Sequence, residues 1–120
     1  MSFIFENLKI WQKALELSQN VNALTKCFPV EERFALTSQM KRAADSVSLN
    51  IAEGSTGQTK KEFKRFLAIS LRSCVEVVGC IYLARARQLI TTDQFDALYQ
   101  ELLILTKMIQ SFRKSLNETN

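Results

Sequence analysis

Few residues in this chain offer chemistry. Two carboxylates stand in apolar or small-residue surroundings: Glu53, within Asn50-Ile-Ala-Glu-Gly54, and Glu76, between Val75 and Val77. Burial raises the pKa of such a group, and a raised carboxyl can serve as a general acid or base. That use requires a second group and a cleft, and the sequence identifies neither. Glu76 follows Arg72 by one helical turn, so a structural ion pair with Arg42 or Arg72 is the expectation. Histidine is absent from the chain, which removes the commonest general base and the commonest transition-metal ligand together. Ser-His-Asp and Cys-His nucleophiles, His-bearing zinc sites and Glu-x-x-His di-iron centres go with it. No catalytic, metal-binding or cofactor-binding residue is assigned, no small-molecule substrate is identified, and the chain reads as no enzyme. Cys27, Cys74 and Cys80 lack C-x-x-C spacing and read as buried thiols, small hydrophobes of a reducing compartment.

Charge is the second chemistry available. The net +4 divides into +1 over 1–30, −1 over 31–57, +5 over 58–87 and −1 over 88–120. Lys60, Lys61, Lys64 and Arg65 crowd one helix start, and Lys61, Arg65 and Arg72 share a face by helical spacing. Cations at a helix N-terminus oppose its dipole at a cost of about 0.3–1 kcal/mol each when exposed, so local helix stability does not account for them. One reading is a solvated face, paired in places with Glu31, Glu32 or Asp96. The other is an anion-binding surface, with RNA or DNA phosphate as the anion. Phe63 and Phe66 interleave the lysines at a spacing that makes them core residues. No helix-turn-helix, zinc finger or RNA-binding signature is present.

A third cluster is structural in character. Gln39–Gly57 combines small residues (Ala43, Ala44, Ser46, Ser48, Ala52) with polar ones, and reads as a packing junction with a polar interior. Arg42, Asn50, Glu53 and Glu76 are its expected polar members, bonding between helices or between subunits. Asn in particular is disfavoured in helix interiors unless something requires it.

Long helices must position these groups. One Pro and three Gly in 120 residues, with apolar residues recurring at three-and-four spacing, make the class all-α and the chain (1–120) a single domain. The first helix is expected from about Glu6 to Lys26, ended by Phe28-Pro29. The second is expected from near Val30, with Glu31 and Glu32 in its first turn, to Gly54 as a left-handed C-cap. Thr59-Lys-Lys-Glu62 matches a capping box that opens the third helix, which runs to Ala86. Thr91 or Thr92 caps the fourth, whose Phe95, Leu98, Leu102, Leu105, Ile109, Phe112 and Leu116 form an unbroken heptad seam. Short connections make neighbours antiparallel, so the economical architecture is an up-down-up-down four-helix bundle. Asn117–Asn120 reads as a frayed end, and Asn117-Glu-Thr119 as a chance match to a glycosylation acceptor.

The third helix is apolar nearly all round, and a helix with two apolar faces in so small a protein implies cover from a second copy. A homo-oligomer is therefore expected. With 47% apolar and 23% charged residues, neither disorder nor membrane insertion is indicated. No apolar run is read as approaching the ~20 residues that cross a bilayer, and the N-terminus lacks a signal-peptide pattern. A cytoplasmic location follows.

Several segments then occur in one order: Leu8-Lys-Ile-Trp11-Gln-Lys-Ala14, Phe28-Pro29 before Glu32, Leu36-Thr-Ser-Gln39-Met-Lys-Arg42-Ala43-Ala44, Ser46-Val47, Asn50-Ile-Ala-Glu-Gly54 and Ser73-Cys-Val-Glu76. Together they closely resemble the bacterial four-helix-bundle proteins encoded in intervening sequences of 23S ribosomal RNA genes. The resemblance implies an up-down-up-down bundle assembled as a homopentamer. It also implies kinship with the accessory protein of diversity-generating retroelements, a basic pentamer that associates with a reverse transcriptase and nucleic acid. Two departures stand out. Ser48 replaces a proline common in the family, and Ser55-Thr56-Gly57-Gln58 replaces aromatic and basic residues, which weakens any nucleic-acid role for that loop. Two functions remain: a non-catalytic oligomer binding RNA, DNA or a nucleic-acid enzyme, and a protein-interaction or structural scaffold with no nucleic-acid role.

Overall fold

The computed structural model describes residues 1–116; the two readings made for Asn117–Asn120 lie outside the described residues. Four long helices account for most of the chain: α1 (Lys9–Thr25), α2 (Leu36–Gly54), α3 (Lys60–Ala86) and α4 (Thr92–Ser115). They form an elongated body of 49 × 24 × 21 Å.

Contacts between specific residues establish that neighbours run antiparallel. Ser70 bonds the Val47 carbonyl and Ser73 bonds Ser46 across α2 and α3. Phe63 meets Phe112 at one end of the α3–α4 pair, and Tyr82 meets Phe95 at the other. Asn20 Nδ2 donates to Glu101 Oε1 at 2.8 Å, joining α1 to α4. The up-down-up-down bundle expected from the short connections is therefore the one formed.

Each helix contributes one stripe to a single core. α4 buries Phe95, Leu98, Leu102, Leu105 and Ile109, the heptad seam read from the sequence, with Phe112 and Leu116 half-buried at its end. On α1 the buried line is Ile10, Ala14, Leu17 and Val21. Leu15 is 42% exposed, because the seam at 3-4 spacing passes one residue to its side. Burying an aliphatic side chain stabilises by roughly 1.5–3 kcal/mol, so these stripes fix the register of the bundle.

Three helix ends differ from expectation. α2 starts at Leu36, and Val30–Glu32 is a separate 3-10 turn. Ala35, at φ −121° and ψ −106°, breaks the helical path between them. Glu32 does not serve as a first-turn residue. Its Oε1 accepts the Leu36 N–H and an Arg87 Nη1 bond of 3.1 Å, tying the start of α2 to the end of α3. Likewise α1 starts at Lys9, preceded by a 3-10 turn over Ile4–Asn7.

Gly54 is not a left-handed cap, since no glycine here has positive φ. It lies within α2 and is buried. A Cβ placed on it would stand 2.6 Å from Phe66 Cβ and 3.0 Å from Phe63 Cδ1. Glycine is required because the start of α3 crosses directly over this point. Among the described residues the left-handed one is Gln88, at φ 61°. It ends α3 in a Schellman arrangement, with the Leu89 N–H donating to the Ala84 carbonyl at 2.9 Å. The two other helix starts follow their caps: Thr59 accepts the Glu62 N–H, and Thr91 with Gln94 forms a complete capping box.

α3 also corrects the membrane reading of the sequence. By length and composition it is apolar enough to cross a bilayer. In this fold Leu67, Cys74, Val77, Cys80 and Ile81 fill the bundle core, and its Ser70 and Ser73 are buried against α2. A core helix meets the same compositional test as a membrane span.

Candidate functional site

The two carboxylates do not form a catalytic pair. With Val47 opposite Ser70, Glu53 lies level with the first turns of α3, about twelve residues or roughly 18 Å from Glu76 at 1.5 Å per residue. Acid-base pairs acting on one bond stand within about 10 Å. Both are exposed. Among the described residues Glu76 has no ion pair with Arg42 or Arg72; its Oε2 meets Gln39 Nε2 at 3.5 Å. No group of three His, Cys, Asp or Glu side chains among the described residues is arranged to hold a metal.

The cysteines separate by environment. Cys74 and Cys80 are buried as expected, whereas Cys27 is exposed beyond the end of α1. Burial pushes the Cys74 thiol up to about 11, opposed by a hydrogen bond with Thr106. Burial, and secondarily the charge of Glu76, raises Cys80 as well. Both are protonated at neutral pH and therefore weak nucleophiles.

Hydroxyl groups, more than the expected charged set, make up the polar interior of the α2–α3 junction. Asn50 Nδ2 donates to the Ser46 carbonyl at 2.8 Å and to Ser46 Oγ at 2.9 Å, and Ser73 Oγ reaches the same Ser46 Oγ at 2.9 Å. Asn50 thus acts between helices through Ser46. Arg42 and Glu53 face outward instead, along an open groove on α2 that the half-buried Asn50 also borders and whose rim includes Phe34 and Leu49. Small side chains at the helix contact leave space for serine hydroxyls but not for a guanidinium or a long carboxylate.

The basic residues of α3 divide into three groups. At its C-terminal end Arg87 pairs with Glu32 at 3.1 Å, and the Arg85 guanidinium lies 3.8 Å from the centre of the Phe95 ring. These cations have structural partners. Arg72 is exposed midway along the helix, about 10 Å from Arg65 by helical rise. At the N-terminal end Lys60, Lys61 and Arg65 are exposed and Lys64 is half-buried. Arg65 lies 5.0 Å from the centre of the Phe66 ring, which holds its guanidinium near the surface of α3. Phe63 is packed on Phe112, as a core residue should be. The structure thus brings four of the five predicted cations to one end of the bundle and leaves Arg72 away from it.

Sequence reasoning overlooked what joins them. The half-buried Arg113 donates from Nε to the Lys64 carbonyl at 3.0 Å, so the end of α4 is fastened beside the start of α3. α4 is acidic at its start (Asp93, Asp96) and basic at its end (Lys107, Arg113, Lys114), a polarity that the net −1 over 88–120 conceals. On the other flank of α4, Lys9 and Lys107 border one shallow groove between α1 and α4. The signal was present as charge order within the helix, but only antiparallel packing gives it a location.

The family model for the 23S rRNA-intervening sequence protein matches residues 6–111 of the chain. Among solved structures, the chain is similar to a protein of unknown function from the S23 ribosomal protein family of Bacteroides thetaiotaomicron. The identity is 24% over 88% of this chain and 98% of that one, with a TM-score of 0.79. At that identity the likeness carries the fold alone. A search of curated proteins finds no match.

Proposed function

The chain belongs to the 23S rRNA-intervening sequence protein family, and from that premise we propose that it is a non-catalytic, cytoplasmic homo-oligomeric bundle that binds RNA or DNA through the basic surface at the start of α3. The observation that carries this reading is the gathering of Lys60, Lys61, Lys64 and Arg65 at one end of the bundle. Cations so placed work against the α3 dipole, and a bound anion would offset that cost. Phosphate contacts of this kind position a nucleic acid without reading its sequence, in keeping with the lack of any base-reading motif.

Assembly is part of the proposal. Val75 and Leu83 are 66% and 44% exposed, and Gly79 lies between them with open space where a Cβ would stand. At i, i+4, i+8 they make one uncovered apolar stripe on α3, suited to a second copy of the chain. The family resemblance sets the expected number at five. Light scattering should return a multiple of the 13.7 kDa chain mass, and a monomer at micromolar concentration would refute assembly.

Filter binding of RNA and DNA at low and high salt tests the nucleic-acid role. Binding that is tight at low salt, weakens steeply with salt, and disappears when Lys60, Lys61, Lys64 and Arg65 are changed to Glu supports it. No binding at low salt, or equal binding by the fourfold variant, rejects it. One observation favours a second reading, a protein scaffold with no nucleic-acid role: Phe34 is 90% exposed beside the α2 groove. Recovery of a protein partner that survives nuclease treatment and is lost on Phe34→Ala would favour that alternative.

A further inference from the structure

Resting on the nucleic-acid reading above, we infer that the binding surface is the whole basic end of the bundle, with Arg113 as its fixed phosphate donor and Lys9, Lys107 and Lys114 as its second flank, and that Arg72 lies outside it.

Arg113 is held in place by the fold itself. Guanidinium groups bind phosphate best when their planar fork is held in place before the ligand arrives. The Nε bond to the Lys64 carbonyl supplies that restraint. The two terminal amino groups of Arg113 have no protein acceptor among the described residues. A half-buried arginine with its Nε–H committed to the main chain of α3 and four N–H donors left on its terminal amino groups is a pre-positioned donor beside the α3 lysines.

The flanks follow from the packing. Antiparallel helices bring the start of α1, the start of α3 and the end of α4 to the same end. Lys114 follows Arg113 directly, and Lys9 and Lys107 border the groove on the far side of α4. The described acidic residues at the starts of α1 and α3 and the end of α2 are Glu6, Glu53 and Glu62, fewer than these cations. At the far end Arg85 lies against the Phe95 ring and Arg87 pairs with Glu32. A surface of such one-sided charge, about as wide as the 24 × 21 Å cross-section of the bundle, fits a phosphate backbone better than a single small anion, because it spreads cations over several phosphate spacings.

The test uses the full chain with a labelled RNA duplex and a DNA duplex of the same sequence, measured across a salt series. Lys9, Lys107 and Lys114 are changed together to Gln, which leaves the Arg113–Lys64 bond in place. At least tenfold weaker binding is expected, with a shallower dependence on salt concentration, by about 0.9 in logarithmic slope for each duplex phosphate that is no longer neutralised. Arg113→Lys, which keeps the charge but not the fork or the Nε bond, should weaken binding several-fold. Arg72→Gln should leave it unchanged. Helix content and thermal midpoint check that each variant folds. Wild-type binding by the threefold Gln variant, together with loss of binding by the α3 fourfold Glu variant, would overturn this inference and leave the α3 reading standing. Failure of the wild-type chain to bind either duplex at low salt would overturn both.

Discussion

Replacing Gly54 with alanine isolates the contact on which the α2–α3 junction turns. The new methyl would stand 2.6 Å from Phe66 Cβ, 3.0 Å from Phe63 Cδ1 and 3.3 Å from Phe66 Cγ. The nearest of these is a Cβ, which no rotamer change can move, so the helices must separate by close to 1 Å to reach ordinary contact at about 3.5 Å. Overpacking of this kind costs about 1–3 kcal/mol. Against it stands the helix propensity of alanine over glycine, up to about 1 kcal/mol in a helix interior and less at this last residue of α2. Sterics outweigh propensity, and a net loss of about 1–2 kcal/mol is expected. Urea unfolding at fixed chain concentration should show a lower midpoint with an unchanged slope, which attributes the loss to stability and not to a change in the surface exposed. A variant as stable as the parent, or more so, would show that α2 and α3 do not approach as closely as described and would refute the reasoning.

Three further substitutions probe other parts of the fold. Gln88→Gly relieves a left-handed residue at φ 61° and should raise stability by about 0.5–1 kcal/mol, read as a higher denaturation midpoint. Ser18 Oγ is buried without a hydrogen-bond partner among the described residues, so Ser18→Ala should stabilise by about 1 kcal/mol in the same assay, where a loss would mean that the hydroxyl is satisfied. Burial, only partly offset by the bond from Asn20, raises the pKa of Glu101. The folded state then holds this proton more tightly than the unfolded chain, so stability falls as pH rises from the ordinary carboxylate value through the raised one. Glu101→Gln keeps an acceptor for Asn20, so it should raise the thermal midpoint at pH 7 and leave it unchanged below the ordinary carboxylate range; equal midpoints at pH 7 would count against the burial of this carboxylate.

How far the site was legible in the sequence depends on the kind of information each part needed. Lys60, Lys61, Lys64 and Arg65 were legible because they are close together on one helix, where local charge sums reveal them. Arg113 and Lys9 were not, because the residues beside them belong to other helices. The polar junction was legible as a region but misread in detail. Small residues marked where two backbones approach, yet a pattern cannot say that Ser46 and Ser73 would occupy the contact while Arg42 and Glu53 turned outward.

The sequence by itself determined the four-helix count, the α4 seam and the caps at Thr59 and Thr91, since helical periodicity and hydrogen-bond capping act over a few neighbouring residues. It also determined the family, through Leu36–Ala44 and Asn50–Gly54 read in order. The tertiary structure alone decided that Gly54 is a close-approach site and not a cap, that α2 waits until Leu36 for a start tied by Glu32 to Arg87, and that the cations of three helices share one end. Those facts depend on which residues distant in the chain become neighbours, and that is settled by how the apolar stripes pack against one another.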